Sequence, residues 1–340
     1  MSGDEAFPPP AAGTGRRRPR SQAVPPILTL TVNPTVDICF EVDRLADVGK
    51  SRARVRFVAA GGGGINVARG VSRLGGRAIA LHTAGREVGR RLNRLLDEEG
   101  VDHLSLEIAH ETREAVVLFE SQTRRSFHIV PPGPRLDDRE GRRVLEALER
   151  AVAGHEYVVV SGSLPGGLPD TFYGAVARRV KEAGSRLVLD TSGRALRESL
   201  LEGVFLRRCN NHEAAGFAGK AVRTFDDARA VNEYLLAAGA TEVAVTTLGE
   251  LGALCSTRHG HTELRAPSLP GEPLSDAGAG DAMVAAVTLR LATGGDPVEA
   301  CAFGVATAAA AVLTPDTEPF DREVAESLYP AVRVVRPAGS

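Results

Sequence analysis

Two kinds of hydrophobic pattern alternate along this chain. Residues 27–32 form a short run rich in β-branched and aliphatic side chains, closed by Asn33-Pro34, and read as a buried strand. Residues 37–42 form a second such run, and residues 53–58 alternate apolar with polar, as a strand with one wet face does. Apolar positions at helical spacing follow over 66–74, then a strand over 78–84 and a helix over 88–99. The runs 115–120 and 126–130 flank the polar segment 121–125 and predict a hairpin.

After Pro134 the rhythm becomes regular. Helical patterns over 139–153, 170–183, 225–238, 282–292 and 298–313 alternate with strand runs at 157–160, 186–190, 205–207, 242–246 and 252–256. Such alternation predicts an α/β fold with a doubly wound, mostly parallel sheet covered by helices on both faces. Right-handed crossovers then gather ligand loops at the carboxyl ends of the strands. The early β-rich pieces, about 37–57 and 113–130, fall outside that rhythm and are expected to form a small separate sheet, a lid. Residues 27–335 are thus expected to be one domain. Residues 1–26 carry Pro8-Pro9-Pro10 and the run Arg16-Arg17-Arg18-Pro19-Arg20, have little to bury, and read as a disordered Pro/Arg-rich tail without the apolar core of a secretory signal.

Composition narrows the class. The chain has 340 residues, 43% hydrophobic and 25% charged, with a net charge of −2, so a nucleic-acid surface is not expected. The longest small-apolar stretch, residues 300–313, is too short to cross a bilayer of ~30 Å. Cys39, Cys209, Cys255 and Cys301 are scattered without a Cys-x-x-Cys pair, which suits a reducing, cytoplasmic setting. His259 and His261 have strand spacing; a solvent-facing hairpin is the favoured reading over a metal site.

Two glycine-rich bends carry the candidate chemistry. Gly61-Gly62-Gly63-Gly64-Ile65-Asn66 and Gly278-Ala279-Gly280-Asp281 each lead directly into a helical pattern. A helix N-terminus offers unpaired N–H groups and partial positive charge to an anion, and glycine lets backbone approach it. Asp281 adds a carboxylate suited to proton abstraction; as an alternative it is a helix N-cap. Asn66 supplies both a donor and an acceptor for hydroxyls.

Read with its neighbours, the first bend continues as Gly63-Gly64-Ile65-Asn66-Val67-Ala68, six residues, Gly75, nine residues, Gly85. This string resembles the first signature of the ribokinase-like (PfkB) carbohydrate kinases, and Gly278-Ala279-Gly280-Asp281 resembles the core of the second. Asn33-Pro34-Thr35-Val36-Asp37, Thr112-Arg113-Glu114, Ser161-Gly162-Ser163-Leu164-Pro165, Asp190-Thr191-Ser192-Gly193 and Thr247-Leu248-Gly249-Glu250-Leu251-Gly252 fall in family order between or before them. Within the family the likeness is to the phosphosugar branch, especially the minor-type ATP-dependent 6-phosphofructokinases, which show Gly-Gly-Gly-Gly-Ile-Asn.

The resemblance implies a ribokinase-like fold and transfer of the γ-phosphoryl group of ATP, with Mg²⁺, to a sugar hydroxyl. It implies Asp281 as general base beside an anion hole formed by the N–H groups of Ala279, Gly280 and Asp281, with Gly278 opening the loop. Asp37, Gly62, Gly63, Asn66 and Ser163 would meet the acceptor sugar, and Lys50 and Arg113 its phosphate. Arg208, Asn210, Thr247, Gly249, Gly252 and Gly278 would line the nucleotide side, and Glu213 would organise the metal. Blander readings stay open: Asp37 as a turn residue, Lys50 and Arg113 as surface charges, Glu213 as a helix-start carboxylate. The role of His128, where relatives often carry arginine, is open.

Three departures qualify the resemblance. Arg208-Cys209-Asn210 replaces a frequent Lys-Pro-Asn, Asp276 stands where threonine, serine or valine is usual, and residues 313–318 replace a segment often carrying Asn and Gly where some relatives bind K⁺. K⁺ is therefore an open alternative rather than an expected cofactor. The expected reaction is conversion of fructose 6-phosphate to fructose 1,6-bisphosphate. The alternatives are kinases for fructose 1-phosphate, tagatose 6-phosphate or unphosphorylated sugars and nucleosides, and a catalytically weak sugar-phosphate or nucleotide binder. A homodimer through the lid is the expected assembly, because a small isolated sheet exposes edges and an apolar face.

Overall fold

The computed structural model describes residues 25–314 and 319–336. The expected tail, up to residue 24, and residues 315–318 of the segment weighed for K⁺ lie outside the described residues. In chain order the N-terminal half contains β1 (Ile27–Thr31), β2 (Thr35–Val42), β3 (Arg54–Gly61), α1 (Gly63–Arg73), β4 (Ala78–Gly85), α2 (Arg86–Glu98), β5 (His103–Ile108), β6 (Arg113–Glu120) and β7 (Arg125–Ile129). Next come α3 (Asp138–Val152), β8 (Tyr157–Ser161), α4 (Phe172–Glu182), β9 (Arg186–Asp190), α5 (Gly193–Leu200), β10 (Val204–Asn210), α6 (Asn211–Ala218) and α7 (Phe225–Ala237). The chain continues with β11 (Thr241–Thr247), β12 (Gly252–Thr257), β13 (Gly260–Arg265), α8 (Ala279–Ala292), α9 (Pro297–Ala311), α10 (Arg322–Leu328) and β14 (Arg333–Val335).

The main sheet runs β14-β13-β12-β11-β10-β9-β8-β1-β4-β5. From β11 to β5 every pairing is parallel; β12, β13 and β14 extend one edge antiparallel. β1 lies between β8 and β4, so the chain's direction of winding reverses there, and the loops after β1 and β8 part to leave a crevice.

Alternation along the buried strands feeds two cores. Leu28 and Leu30 of β1 join the core that includes Leu148 of α3, Tyr173 of α4 and Leu235 of α7. Ile27 joins the opposite core with Ile65 and Val71 of α1, Leu96 of α2, Met283 of α8 and Phe303 of α9. The alanine-rich helix α9 starts at an Asp296 cap with Pro297 in its first turn, and Ala300, Ala302, Ala306 and Ala310 are buried against α8 and the sheet. Its lack of bulk permits that close packing. At the α1–α8 crossing Gly70 has the same use: a Cβ there would lie 2.8 Å from Ala285 Cβ.

The two early β-rich segments do leave the main sheet. They form a four-stranded sheet in the order β3-β2-β6-β7, with β2 and β6 parallel and the two hairpin pairs antiparallel. The expected hairpin is β6–β7. Val48, Val55 and Ile129 are exposed on this lid. The histidine pair departs from expectation. His259 is exposed in the β12–β13 turn, but His261 turns inward, its Nδ1 2.9 Å from Ser256 Oγ and its Nε2 3.2 Å from Glu233 Oε1. Among the described residues, no helix is long and apolar enough to cross a membrane.

Candidate active site

The two glycine-rich bends meet. Asn66, in the first turns of α1, donates from Nδ2 to Asp281 Oδ2 at 2.9 Å across 215 residues of sequence. Ser161, the last residue of β8, donates from Oγ to Asp281 Oδ1 at 3.0 Å. Asp281 is thus fixed on both oxygens by side chains from other elements. It does not cap its own helix: the N-cap of α8 is Gly278, left-handed at φ 75°, with no side-chain cap bond.

The first bend is tight for reasons visible in the structure. Gly62 has φ 107°, which disfavours any side chain, and a Cβ on it would approach Pro34 Cα to 3.0 Å. A Cβ on Gly63 would lie 2.1 Å from Ser161 Oγ and displace the hydroxyl that holds Asp281.

Electrostatics at Asp281 favour a proton acceptor. Burial, then the nearby charge of Asp190, push its carboxyl up to about 7, against the hydrogen bonds from Asn66 and Ser161 and the charge of Arg208. A base with that affinity is matched to neutral pH. Gly280 and Asp281 keep free N–H groups at the start of α8, pointing the helix's positive end toward the same place. The expected third donor is different: Ala279 N–H already donates to Asp276 O at 3.3 Å. Of the three amides expected there, those of Gly280 and Asp281 are unpaired among the described residues.

A cavity of about 850 Å³ opens beside this loop. Arg208, Asn210, Thr247, Gly249, Gly252, Gly278, Ala279, Gly280 and Asp281 line it, so all the residues expected on the nucleotide side are brought together. Its far wall is apolar, with Ala253, Pro267, Leu269, Val305, Ala308 and Val312, the surface a flat aromatic base requires. Arg208 Nη1 stands 3.4 Å from both oxygens of Asp190, and Nη2 donates to Thr247 Oγ1 at 3.1 Å. The guanidinium lies over Gly280, where a Cβ would come within 2.6 Å of Nη1. Asp276 also lines the cavity and is exposed.

Glu213 is not among the residues lining that cavity. It forms a capping box with Asn210: Glu213 N–H donates to Asn210 Oδ1 and Asn210 N–H donates to Glu213 Oε2, both at 2.8 Å. Burial raises its carboxyl above the ordinary carboxylate value. Among the described residues no cluster of three or more His, Cys, Asp or Glu side chains is arranged to hold a metal. That donor set suits Mg²⁺ only as a nucleotide-borne ion keeping most of its waters, with Glu213 as a single carboxylate behind them.

On the other side of Asp281 lie the residues expected to meet the acceptor. Asp37, at the base of the lid, is 6% exposed, and burial pushes its carboxyl up to about 6 against a Thr35 hydrogen bond and the charges of Arg69, Arg113 and His128. Arg113 donates to Asn33 O at 3.0 Å and Pro131 O at 3.3 Å, and Asn33 Nδ2 donates to Ser163 Oγ at 3.0 Å. A second cavity, about 620 Å³, is lined by Asn33, Arg113 and Ser163. Lys50 is not gathered with them; it sits exposed on the lid loop between β2 and β3 and lines neither cavity. Ser163 was the expected site residue of its motif; Ser161 and Asp190, named within their motifs without a role, are the ones that act on Asp281, by hydrogen bond and by charge. The signal was present, since both end buried strands whose carboxyl ends face the crevice.

The model of the pfkB family carbohydrate kinases matches residues 31–322. The chain belongs to the pfkB family of carbohydrate kinases. It is 39% identical over 305 residues to the ATP-dependent 6-phosphofructokinase isozyme 2 of Mycobacterium tuberculosis, covering 90% of this chain and 89% of that one. It is 30% identical over 310 residues to the 1-phosphofructokinase of Bacillus subtilis, covering 91% and 99%. Among solved structures, Escherichia coli phosphofructokinase-2 in complex with potassium superposes with a TM-score of 0.85 at 31% identity, covering 90% of this chain and 98% of that one. This pfkB kinase is therefore a phosphofructokinase-like carbohydrate kinase of ribokinase-like fold, acting on small molecules.

Proposed function

We propose that this kinase transfers the γ-phosphoryl group of ATP to the C1 hydroxyl of fructose 6-phosphate, giving fructose 1,6-bisphosphate and ADP. The observation that carries the reading is the placement of Asp281: held by Asn66 and Ser161, poised near neutral pH, and bordering the donor cavity at the start of α8. In this reading Asp281 takes the hydroxyl proton as the oxygen attacks the terminal phosphorus in line. The free N–H groups of Gly280 and Asp281 and the α8 dipole stabilise charge on the transferring group. Magnesium bound with the nucleotide would neutralise phosphate charge, with Glu213 behind its waters. Asp37 and Asn66 orient the acceptor hydroxyls; Gly62 and Gly63 let it approach the backbone.

The relatives' names include both 6- and 1-phosphofructokinases, so fructose 1-phosphate is the specific rival acceptor. A coupled ADP-release assay over fructose 6-phosphate, fructose 1-phosphate, tagatose 6-phosphate and fructose, with and without Mg²⁺ and K⁺, decides between them. Highest kcat/KM with fructose 6-phosphate is expected. Preference for another panel member would replace this acceptor, and ligand binding without product would turn the reading into that of a regulatory binder. The exposed Val48, Val55 and Ile129 support a dimer through the lid, which sedimentation of the wild type against Val55→Asp checks.

A further inference from the structure

The cavity on the acceptor side has an unassigned cation. Its lining includes two ionisable groups, Arg113 and Arg135, and no carboxylate. They come from different bodies: Arg113 from the first residue of the lid strand β6, Arg135 from the segment that leads into α3. Arg113 donates one N–H from each terminal nitrogen, to Pro131 O and Asn33 O, which leaves the second N–H of each; its Nε is buried without a partner. Among the described residues the Arg135 guanidinium has no hydrogen-bond or ion-pair partner.

Arg135 is nevertheless anchored. Its backbone pairs with Gly166 in an isolated parallel bridge, and the next residue, Leu136, is 2% exposed and donates its N–H to Gly166 O at 2.9 Å. A Cβ on Gly166 would lie 3.4 Å from Arg135 Cγ, so the stem runs along the same turn that carries Ser163. A fixed stem with an unspent head reduces the conformational cost of capturing an anion. Buried Asp37 acts on Arg113 by charge, whereas no carboxylate lines the cavity itself. Guanidinium groups bind phosphate oxygens bidentately, and two of them lining one cavity suit a dianion.

We propose that Arg135 is a second guanidinium of the acceptor-phosphate subsite and sets the preference for phosphorylated over unphosphorylated acceptors. This rests on the phosphosugar reading and adds to it a residue that no sequence motif marked. With Lys50 on the far lid loop, Arg113 and Arg135 grip the phosphate from lid and body at once, so acceptor binding also ties the lid to the domain.

The test compares Arg135→Gln and Arg135→Lys with the wild type. For the preferred phosphosugar, Arg135→Gln should raise KM roughly 10- to 100-fold, the usual worth of charge-assisted hydrogen bonds. Its kcat and its KM for ATP should stay near wild type, and Arg135→Lys should fall between. With fructose as acceptor, kcat/KM should be the same in all three proteins. An unchanged phosphosugar KM, or an equal loss with fructose, overturns the proposal. Thermal stabilisation by orthophosphate provides a readout independent of turnover. It should weaken in Arg135→Gln; orthophosphate stabilisation equal in both proteins counts against the subsite even if no panel sugar is phosphorylated. Weakened phosphate binding with an unchanged phosphosugar KM assigns Arg135 to a separate anion and also overturns it. Absence of turnover with every sugar, while orthophosphate still distinguishes the variants, would locate the failure in the acceptor assignment.

Discussion

The donor and acceptor halves of the cleft are built by different means. The donor cavity sits on main-sheet strands and the start of α8, and its one guanidinium, Arg208, is neutralised by Asp190. What it offers a ligand is an apolar wall, backbone N–H groups and polar side chains such as Asn210 and Thr247, with Asp276 also on its lining. The acceptor side is made between the body and a four-stranded lid, and two guanidiniums line it, that of Arg135 without a partner among the described residues. The contrast suggests a division of labour. Under the proposed function, backbone N–H groups, which few substitutions can alter, would meet the transferring phosphoryl group, whereas side chains would meet the feature that distinguishes one acceptor from another. Asp281 lines the donor cavity and is held by Asn66 and Ser161, and in the proposed reaction it would serve both halves.

The largest effect should come from that residue. Asp281→Asn keeps size and most hydrogen-bonding capacity but cannot accept the proton, and kcat should fall roughly 10²–10⁴-fold. Circular dichroism and an unchanged mass in solution would establish that the fold is intact. Near wild-type turnover in that protein would leave the two halves without a shared base and break the comparison.

How much of this arrangement was legible in the chain differs between the halves in the same way. Donor-side residues sit in glycine loops and at strand ends whose spacing is regular, and all of those expected on the nucleotide side line one cavity. Glu213 was ambiguous for a physical reason. An amide side chain three residues before a carboxylate is the pattern of a helix capping box, and it also suits a phosphate and metal site; sequence cannot separate them. The acceptor side was less readable. Arg135 follows Pro131-Pro132-Gly133-Pro134 with no periodicity to mark it, and only the bridge to Gly166 aligns it with Ser163. Strand β5 was missed because it is an edge strand with half of its residues exposed, so no apolar run announces it. Helix α5, eight residues long, is too short to show a clear helical period.

A smaller effect is expected inside the donor half. The side chains of Arg208 and Asp190 are 15% and 9% exposed, so their pairing is largely shielded from water. Arg208→Met would strand the Asp190 carboxylate, and breaking a buried pair costs about 3–5 kcal/mol. Denaturant unfolding should show the loss, and the double variant Arg208→Met with Asp190→Asn should recover part of it. No recovery would mean that Arg208 acts through its contacts with Thr247 and Gly280 instead.

The finest test concerns how the acceptor-side scaffold tunes the shared base. With the Asp281 carboxyl at about 7, kcat/KM should decline as pH falls below that value, because the protonated acid cannot act as a base. Ser161 donates to Oδ1 and thereby favours the carboxylate, so Ser161→Ala should move this acid limb upward. A hydrogen bond to a charged group contributes about 1.5–3 kcal/mol, and 1.36 kcal/mol corresponds to one pKa unit, which sets the shift at about one to two units. The stability data must run the other way from ordinary carboxylates. Folded Asp281 keeps its proton up to about 7, whereas an unfolded aspartate, at 3.8, has lost it, so the folded state binds the extra proton between those values. Stability attributable to this group therefore falls as pH rises through that window. Asp281→Asn should accordingly melt above the wild type at pH 8, with the gap closing toward pH 4. If the acid limb stays fixed in Ser161→Ala while the melting gap behaves as described, Asp281 is strained by its surroundings but another group limits the rate at low pH.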